Sequence, residues 1–139
     1  MAITFSFQHP VTLPLRRKLR KLMHTILADE GKGIHNLAII FCSDIYLLEL
    51  NNTFLAHDYL TDILTFDLSM DNKIDGEIYI SVETAASNAR YYKVLLFNEL
   101  TRLIIHGTLH LCGYLDSTPR EKRIMSQKED RYLSLFGSL

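Results

Sequence analysis

His106 and His110 stand four residues apart, with Gly113 and then Asp116 behind them. Residues four apart share one helix face, so both imidazoles can converge on one ion. Gly113 falls where a helix needs a residue tolerant of positive φ to stop. A chain turned back there can swing the carboxylate of Asp116 to the same point. Two His and one Asp leave a tetrahedral ion with an open fourth position for water, the arrangement of catalytic rather than structural zinc. The pair alone is weak. With six histidines in 139 residues, a His-x-x-x-His arises by chance in about one sequence in four, as two polar residues on a half-exposed helix face. The helix stop and the third ligand at the right offsets favour a metal centre. Metzincin peptidases share the spacing, but a Glu directly follows their first His and serves as general base. Here that place is Gly107, which disfavours peptide hydrolysis by that route.

Other residues can contribute. Glu99 and Arg102 precede His106 by seven and four positions, on the same side of one helix. Arg102 is the candidate catalytic cation, its planar guanidinium matching a scissile phosphate; the alternative is an ion pair with Glu99. Arg16, Arg17, Lys18, Arg20 and Lys21 form a basic run that is either a solvated helix face or a phosphate-contacting patch. His57 and Asp58 lie in a loop, where functional residues often sit.

The elements that must position these residues follow from periodicity. Ile3–Phe7 alternates as a half-buried strand, and Pro10 and Pro14 precede a helix over about 14–29. Asn36–Ser43 is a near-continuous apolar run, a strand covered on both faces. Ser43 or Asp44 can cap a helix to about Leu55. Asp62–Asp67 and Glu77–Ser81 read as strands joined by the polar Asp71-Asn72-Lys73. Three helices follow, at about 83–92, 94–112 and 118–135, the last capped by Thr118 with Pro119 in its first turn. The class is α+β: a single mixed sheet of about four strands and about five helices packed mainly on one side, with the metal site on a helix of the C-terminal half. The first two helices are expected to make right-handed parallel crossovers.

Composition sets limits. The length implies one domain over residues 1–139, and 47% hydrophobic with 22% charged residues supports a real core. At net charge −1 the chain does not attract nucleic acid as a whole, so such a role needs a local basic patch. No signal peptide or membrane-length apolar run is visible. Cys42 and Cys112, both in apolar segments, suit two buried thiols in a reducing cytoplasm.

His106-Gly107-Thr108-Leu109-His110-Leu111 with Gly113-Tyr114, Leu50-Asn51, Thr61-Asp62-Ile63-Leu64-Thr65-Phe66, Gly76-Glu77-Ile78-Tyr79-Ile80 and Met125 together resemble the YbeY family of metal-dependent endoribonucleases. The resemblance covers nearly the whole chain after the first strand. It implies a zinc-dependent, single-strand-preferring endoribonuclease of ribosomal RNA maturation, acting at the small-subunit 3′ end and in ribosome quality control. It also implies one zinc per chain, and ribosomal RNA with the small ribosomal subunit or its assembly factors as partners. Neither a membrane nor a nucleotide cofactor is expected. Two positions depart from the family: its usual third ligand is a histidine where Asp116 stands, and its usual arginine, thought to act in catalysis, falls on Leu55. The rival functions are a metal-dependent peptidase-like hydrolase and a ribosome-assembly factor with a mainly structural metal.

Overall fold

The computed structural model describes residues 2–55 and 61–138, Leu55 by its backbone alone. In chain order the elements are β1 (Ile3–Phe7), α1 (Arg16–Asp29), β2 (Gly33–Cys42), α2 (Asp44–Leu55), β3 (Ile63–Asp67), β4 (Lys73–Ser81), α3 (Val82–Tyr92), α4 (Leu96–Leu111) and α5 (Pro119–Ser138). The strands form one mixed sheet in the order β1-β2-β4-β3, with β1, β2 and β4 parallel and β3 antiparallel to β4. The α+β class and the element order agree with the sequence reading.

Two strands start earlier than periodicity suggests. β2 begins at Gly33 and β4 at Lys73, because Gly33 pairs with Lys73 and Ile34 with Ile74 ahead of a register shift. Pairing with a neighbour supplies the hydrogen bonds that polar, glycine-containing stretches do not advertise. The second crossover also differs. Only α1 joins neighbouring parallel strands, whereas α2 leads to β3 at the sheet edge, beyond β4. The short β3–β4 connection permits only an antiparallel hairpin, and β2 then pairs along β4 instead.

Strand alternation sends two sets of side chains to opposite faces. Leu37, Ile39, Phe41, Ile74, Ile78 and Ile80 meet Leu19, Leu22 and Ile26 of α1, Leu100, Leu103 and Ile104 of α4, and Met125, Tyr132 and Phe136 of α5. On the other face Cys42 and Leu64 pack with Leu47 of α2, flanked by Tyr46, Leu50, Phe66 and Tyr79. The Ser43 hydroxyl accepts from the Tyr46 N–H at 3.2 Å, so Ser43 is the cap of α2. Both cysteines are free; Cys42 is buried as expected, while Cys112 is only half-buried. Among the described residues no helix is long and apolar enough to cross a membrane.

The helix that matters is α4, ten of whose sixteen residues are buried, which makes it the central helix of the layer. It lies hard against the sheet. A Cβ on Gly107 would stand 2.9 Å from Ile78 Cγ2 and 3.1 Å from Ile63 Cδ1. Glycine is thus the residue that lets the helix carrying His106 sit this close to β3 and β4.

Candidate metal centre

The end of α4 builds half of the site. Gly113 takes φ 105°, its N–H donates to His110 O at 2.9 Å, and the Tyr114 N–H donates to Leu109 O at 3.1 Å. These bonds cap the last carbonyls and reverse the chain around a glycine. The reversal sets the Tyr114 carbonyl beside His110, whose Nδ1 lies 2.8 Å from that oxygen. The other half comes from the start of α5. Thr118 Oγ1 accepts from the Glu121 N–H at 3.1 Å, and Glu121 Oε1 accepts from the Thr118 N–H at 2.8 Å. This reciprocal capping box fixes where α5 begins and so how the Asp116 segment crosses.

Three atoms converge between these halves. His110 Nε2 lies 2.9 Å from His106 Nε2, and Asp116 Oδ2 lies 3.1 Å from the first imidazole and 3.3 Å from the second. Both histidines use Nδ1 elsewhere, His110 on Tyr114 O and His106 on Glu129 Oε2 at 2.6 Å. With an Nδ1 proton donated at each of these contacts, a neutral imidazole turns its Nε2 lone pair toward the other imidazole and the carboxylate. A cation placed at that point would be held by all three atoms. A tetrahedral ion with bonds of about 2.0–2.1 Å sets its ligand atoms roughly 3.3–3.4 Å apart, close to the spacings here. His106, His110 and Asp116 therefore form a group that can hold a metal ion, in the C-terminal half as the sequence suggests.

Glu129, which sequence reasoning missed, is the main support behind this group. It is 5% exposed, and its Oε1 accepts from Arg102 Nη1 at 3.1 Å while Oε2 serves His106. Burial by itself pushes the His106 imidazolium pKa down; the hydrogen bond and charge of Glu129, then Asp116 and Asp62, outweigh it and raise the pKa above the ordinary histidine value. A signal for Glu129 did exist: on α5 it lies in the buried stripe of Met125, Tyr132 and Phe136, where a carboxylate needs a partner. Arg102 also donates from Nε and Nη2 to the two oxygens of Glu99, at 3.0 and 2.7 Å. The Glu99 pair, the alternative to a phosphate-facing Arg102, is therefore present, and Glu129 extends it.

A second clamp braces the turn after α4. The Glu30 carboxylate, just past α1, accepts from the Tyr114 hydroxyl at 2.6 Å, from Lys128 Nζ at 3.0 Å and from the Tyr132 hydroxyl at 3.0 Å. Burial raises its pKa, but these three donors outweigh burial and hold it below the usual carboxylate value. A group with a depressed folded-state pKa stabilises the fold above its unfolded pKa, and that contribution is lost as pH falls through the folded value. Glu30→Gln is therefore expected to lower stability at pH 7 and to flatten its decline below about pH 4.5. Urea unfolding at a series of pH values tests this; an unchanged acid limb would remove Glu30 from the account.

The remaining candidates lie elsewhere. The basic run begins α1, whose other end touches Tyr114 through Glu30, so it lies about 14–21 Å along the axis from that clamp. Within it, Arg16 stacks over Phe7 and Arg20 over Phe5, with Arg20 Nε also donating to Ile3 O at 3.1 Å. His57 and Asp58 lie outside the described residues, and Leu55 ends α2.

A protein-family model described as Endoribonuclease YbeY matches residues 6–137. The chain belongs to the YbeY endoribonuclease family. Proteins named Endoribonuclease YbeY from Cytophaga hutchinsonii and Flavobacterium psychrophilum are 45% and 40% identical to it, over 94% of this chain in each case and over 94% and 95% of theirs. A third YbeY relative, from Bacteroides thetaiotaomicron, is 39% identical over 97% of this chain and 99% of its own. The solution structure of TM1509 from Thermotoga maritima superposes with a TM-score of 0.69 at 29% identity, covering 96% of this chain and 88% of that one. In this YbeY chain the position after the first histidine faces the sheet. A glutamate there would point into Ile78 and Ile63 rather than at an ion.

Proposed function

We propose that this chain is a zinc-dependent, single-strand-preferring endoribonuclease of ribosomal RNA maturation, acting at the small-subunit 3′ end and in ribosome quality control. The observation that carries the metal part is the meeting of two imidazole Nε2 atoms and a carboxylate oxygen, with both Nδ1 atoms already engaged. Family membership supports the RNA part. Residues 1–139 act as one domain, one zinc binds per chain, and the partners are ribosomal RNA and the small subunit or its assembly factors. Two free thiols and the lack of a spanning helix among the described residues support a cytoplasmic setting.

Each residue has a defined task. Tyr114 O holds the proton on His110 Nδ1, and Glu129 holds the proton on His106 Nδ1, so both imidazoles offer Nε2 to one point. Asp116 adds a negative charge. Its side chain is 40% exposed, against 15% and 21% for the two histidines, so the centre opens to solvent on the Asp116 side, where an RNA strand can approach. Arg102 completes the site one turn before His106. A bound zinc ion would supply Lewis-acid polarisation of a phosphate oxygen.

Metal analysis and RNA cleavage before and after chelation test the reading. One zinc per chain, loss of cleavage in chelator, recovery on zinc addition and intact casein are expected. Cleavage that persists without metal, or chelator-sensitive proteolysis, would overturn it. Asp116→Ala should weaken metal binding, while Asp116→His, a nitrogen donor at the same place, should keep it. Equal metal content in Asp116→Ala and wild type would remove Asp116 from the ligand set.

A further inference from the structure

Behind His106 runs a continuous line of polar contacts through α5, α4 and α3 to Asp62, the residue before β3. Glu129 gives one oxygen to His106 and the other to Arg102. Arg102 forks onto both oxygens of Glu99, which is only 2% exposed. Asn88 Nδ2 reaches the same Glu99 carboxylate at 3.4 Å and Asp62 Oδ2 at 3.1 Å. Three of the five guanidinium N–H groups are committed to carboxylates, and the single positive charge faces two acids. Little of it is left for a phosphate.

The geometry points to Arg102 as a positioning residue that acts on the metal centre through Glu129 rather than on the substrate. A carboxylate held at one oxygen by Arg102 can present only its other oxygen to His106. That contact places the imidazole proton on Nδ1 and aims Nε2 at the ion. Partners of this kind commonly set metal affinity by 10–100-fold. Glu99, itself bound by Asn88, holds Arg102 in turn, because a bidentate fork allows one orientation where a point charge allows many. The inference rests on the metal reading proposed above.

The test compares Arg102→Met, Glu129→Gln and the double variant by Zn2+ affinity against a chromophoric chelator, normalised to the folded fraction. Nitrogen NMR of the metal-free protein reports the His106 tautomer. Arg102→Met is expected to weaken Zn2+ binding about tenfold or more, and Glu129→Gln by about 10–100-fold. The double variant should fall no more than about twofold below Glu129→Gln, because both changes break one linkage. The tautomer should shift from Nδ1–H toward a mixture in each. Arg102→Lys should recover part of the affinity. Wild-type Zn2+ affinity and tautomer in Arg102→Met overturn the inference, whether RNA cleavage collapses (a phosphate contact) or only the melting temperature falls (a structural strut). Should Arg102→Met not fold, wild-type affinity in both Arg102→Lys and Glu129→Gln overturns it equally. A wild-type protein that binds neither Zn2+ nor Co2+ would sink the metal reading and this inference with it; unaltered variants of a metal-binding protein sink this inference alone.

Discussion

Alanine at both His106 and His110 is expected to leave a folded protein with no tightly bound metal and with RNA cleavage reduced about a thousandfold or more. The two imidazoles offer two of the three converging atoms that could hold an ion, and a lone carboxylate at an exposed edge cannot retain zinc. A metal Lewis acid contributes several kcal/mol to the transition state, and about 4 kcal/mol corresponds to a thousandfold in rate. The double variant also leaves Glu129 Oε2 without its histidine partner, at a cost of about 1–3 kcal/mol for a buried acceptor. His110→Ala alone avoids that cost, since its Nδ1 partner is the Tyr114 carbonyl at a turn already closed by backbone bonds. The single variant should thus lose metal while unfolding, in chelator, close to the wild-type midpoint. Elemental analysis with a denaturation curve separates the two effects. Wild-type metal content in the double variant would exclude both histidines as ligands.

Gly107→Glu carries the second large effect, and it falls on the fold. A Cβ there already meets Ile78 Cγ2 at 2.9 Å, Ile78 Cδ1 at 3.0 Å and Ile63 Cδ1 at 3.1 Å. Overpacking of this kind costs about 1–3 kcal/mol, and burying an unpaired carboxylate adds several more. The sum approaches the whole stability of an ordinary domain, about 5–15 kcal/mol. The variant should be largely unfolded or aggregated and should gain no peptidase activity. Gly107→Ala is the control: the same contacts are offset by about 1 kcal/mol of helix propensity, for a net loss of about 0–2 kcal/mol. A Gly107→Glu protein that melts within a few degrees of wild type would show that α4 can move away from the sheet.

What the sequence made legible was local. His106, His110, Gly113 and Asp116 fall within one helix and its stop, so the rules of helix geometry suffice to bring them together. Thr118 and Pro119 announced the start of α5 for the same reason, although the Glu121 half of the capping box went unread. Glu129 was illegible from spacing because it lies on a different helix and reaches His106 only when α5 docks on α4. The Asp62–Asn88–Glu99 contacts join α3, α4 and the residue before β3, and no periodicity in any one of these segments encodes the others. The edge position of β3 escaped for a related reason: strand order depends on which pairings compete, and the long β2–β4 register outweighed chain proximity.

The placement of Glu129 on α5 also bears on the order of assembly during synthesis. The three candidate ligand residues precede α5 in the chain, so a growing polypeptide displays them before the Glu129 carboxylate that contacts His106 exists. At that stage an imidazole can offer either nitrogen, and the loose trio is open to whichever first-row divalent ion is abundant nearby. Only the arrival of α5 commits His106 to one nitrogen. Selective loading is then a late event, coupled to completion of the tertiary fold, and a nascent chain stalled before α5 should take up metal weakly and without discrimination.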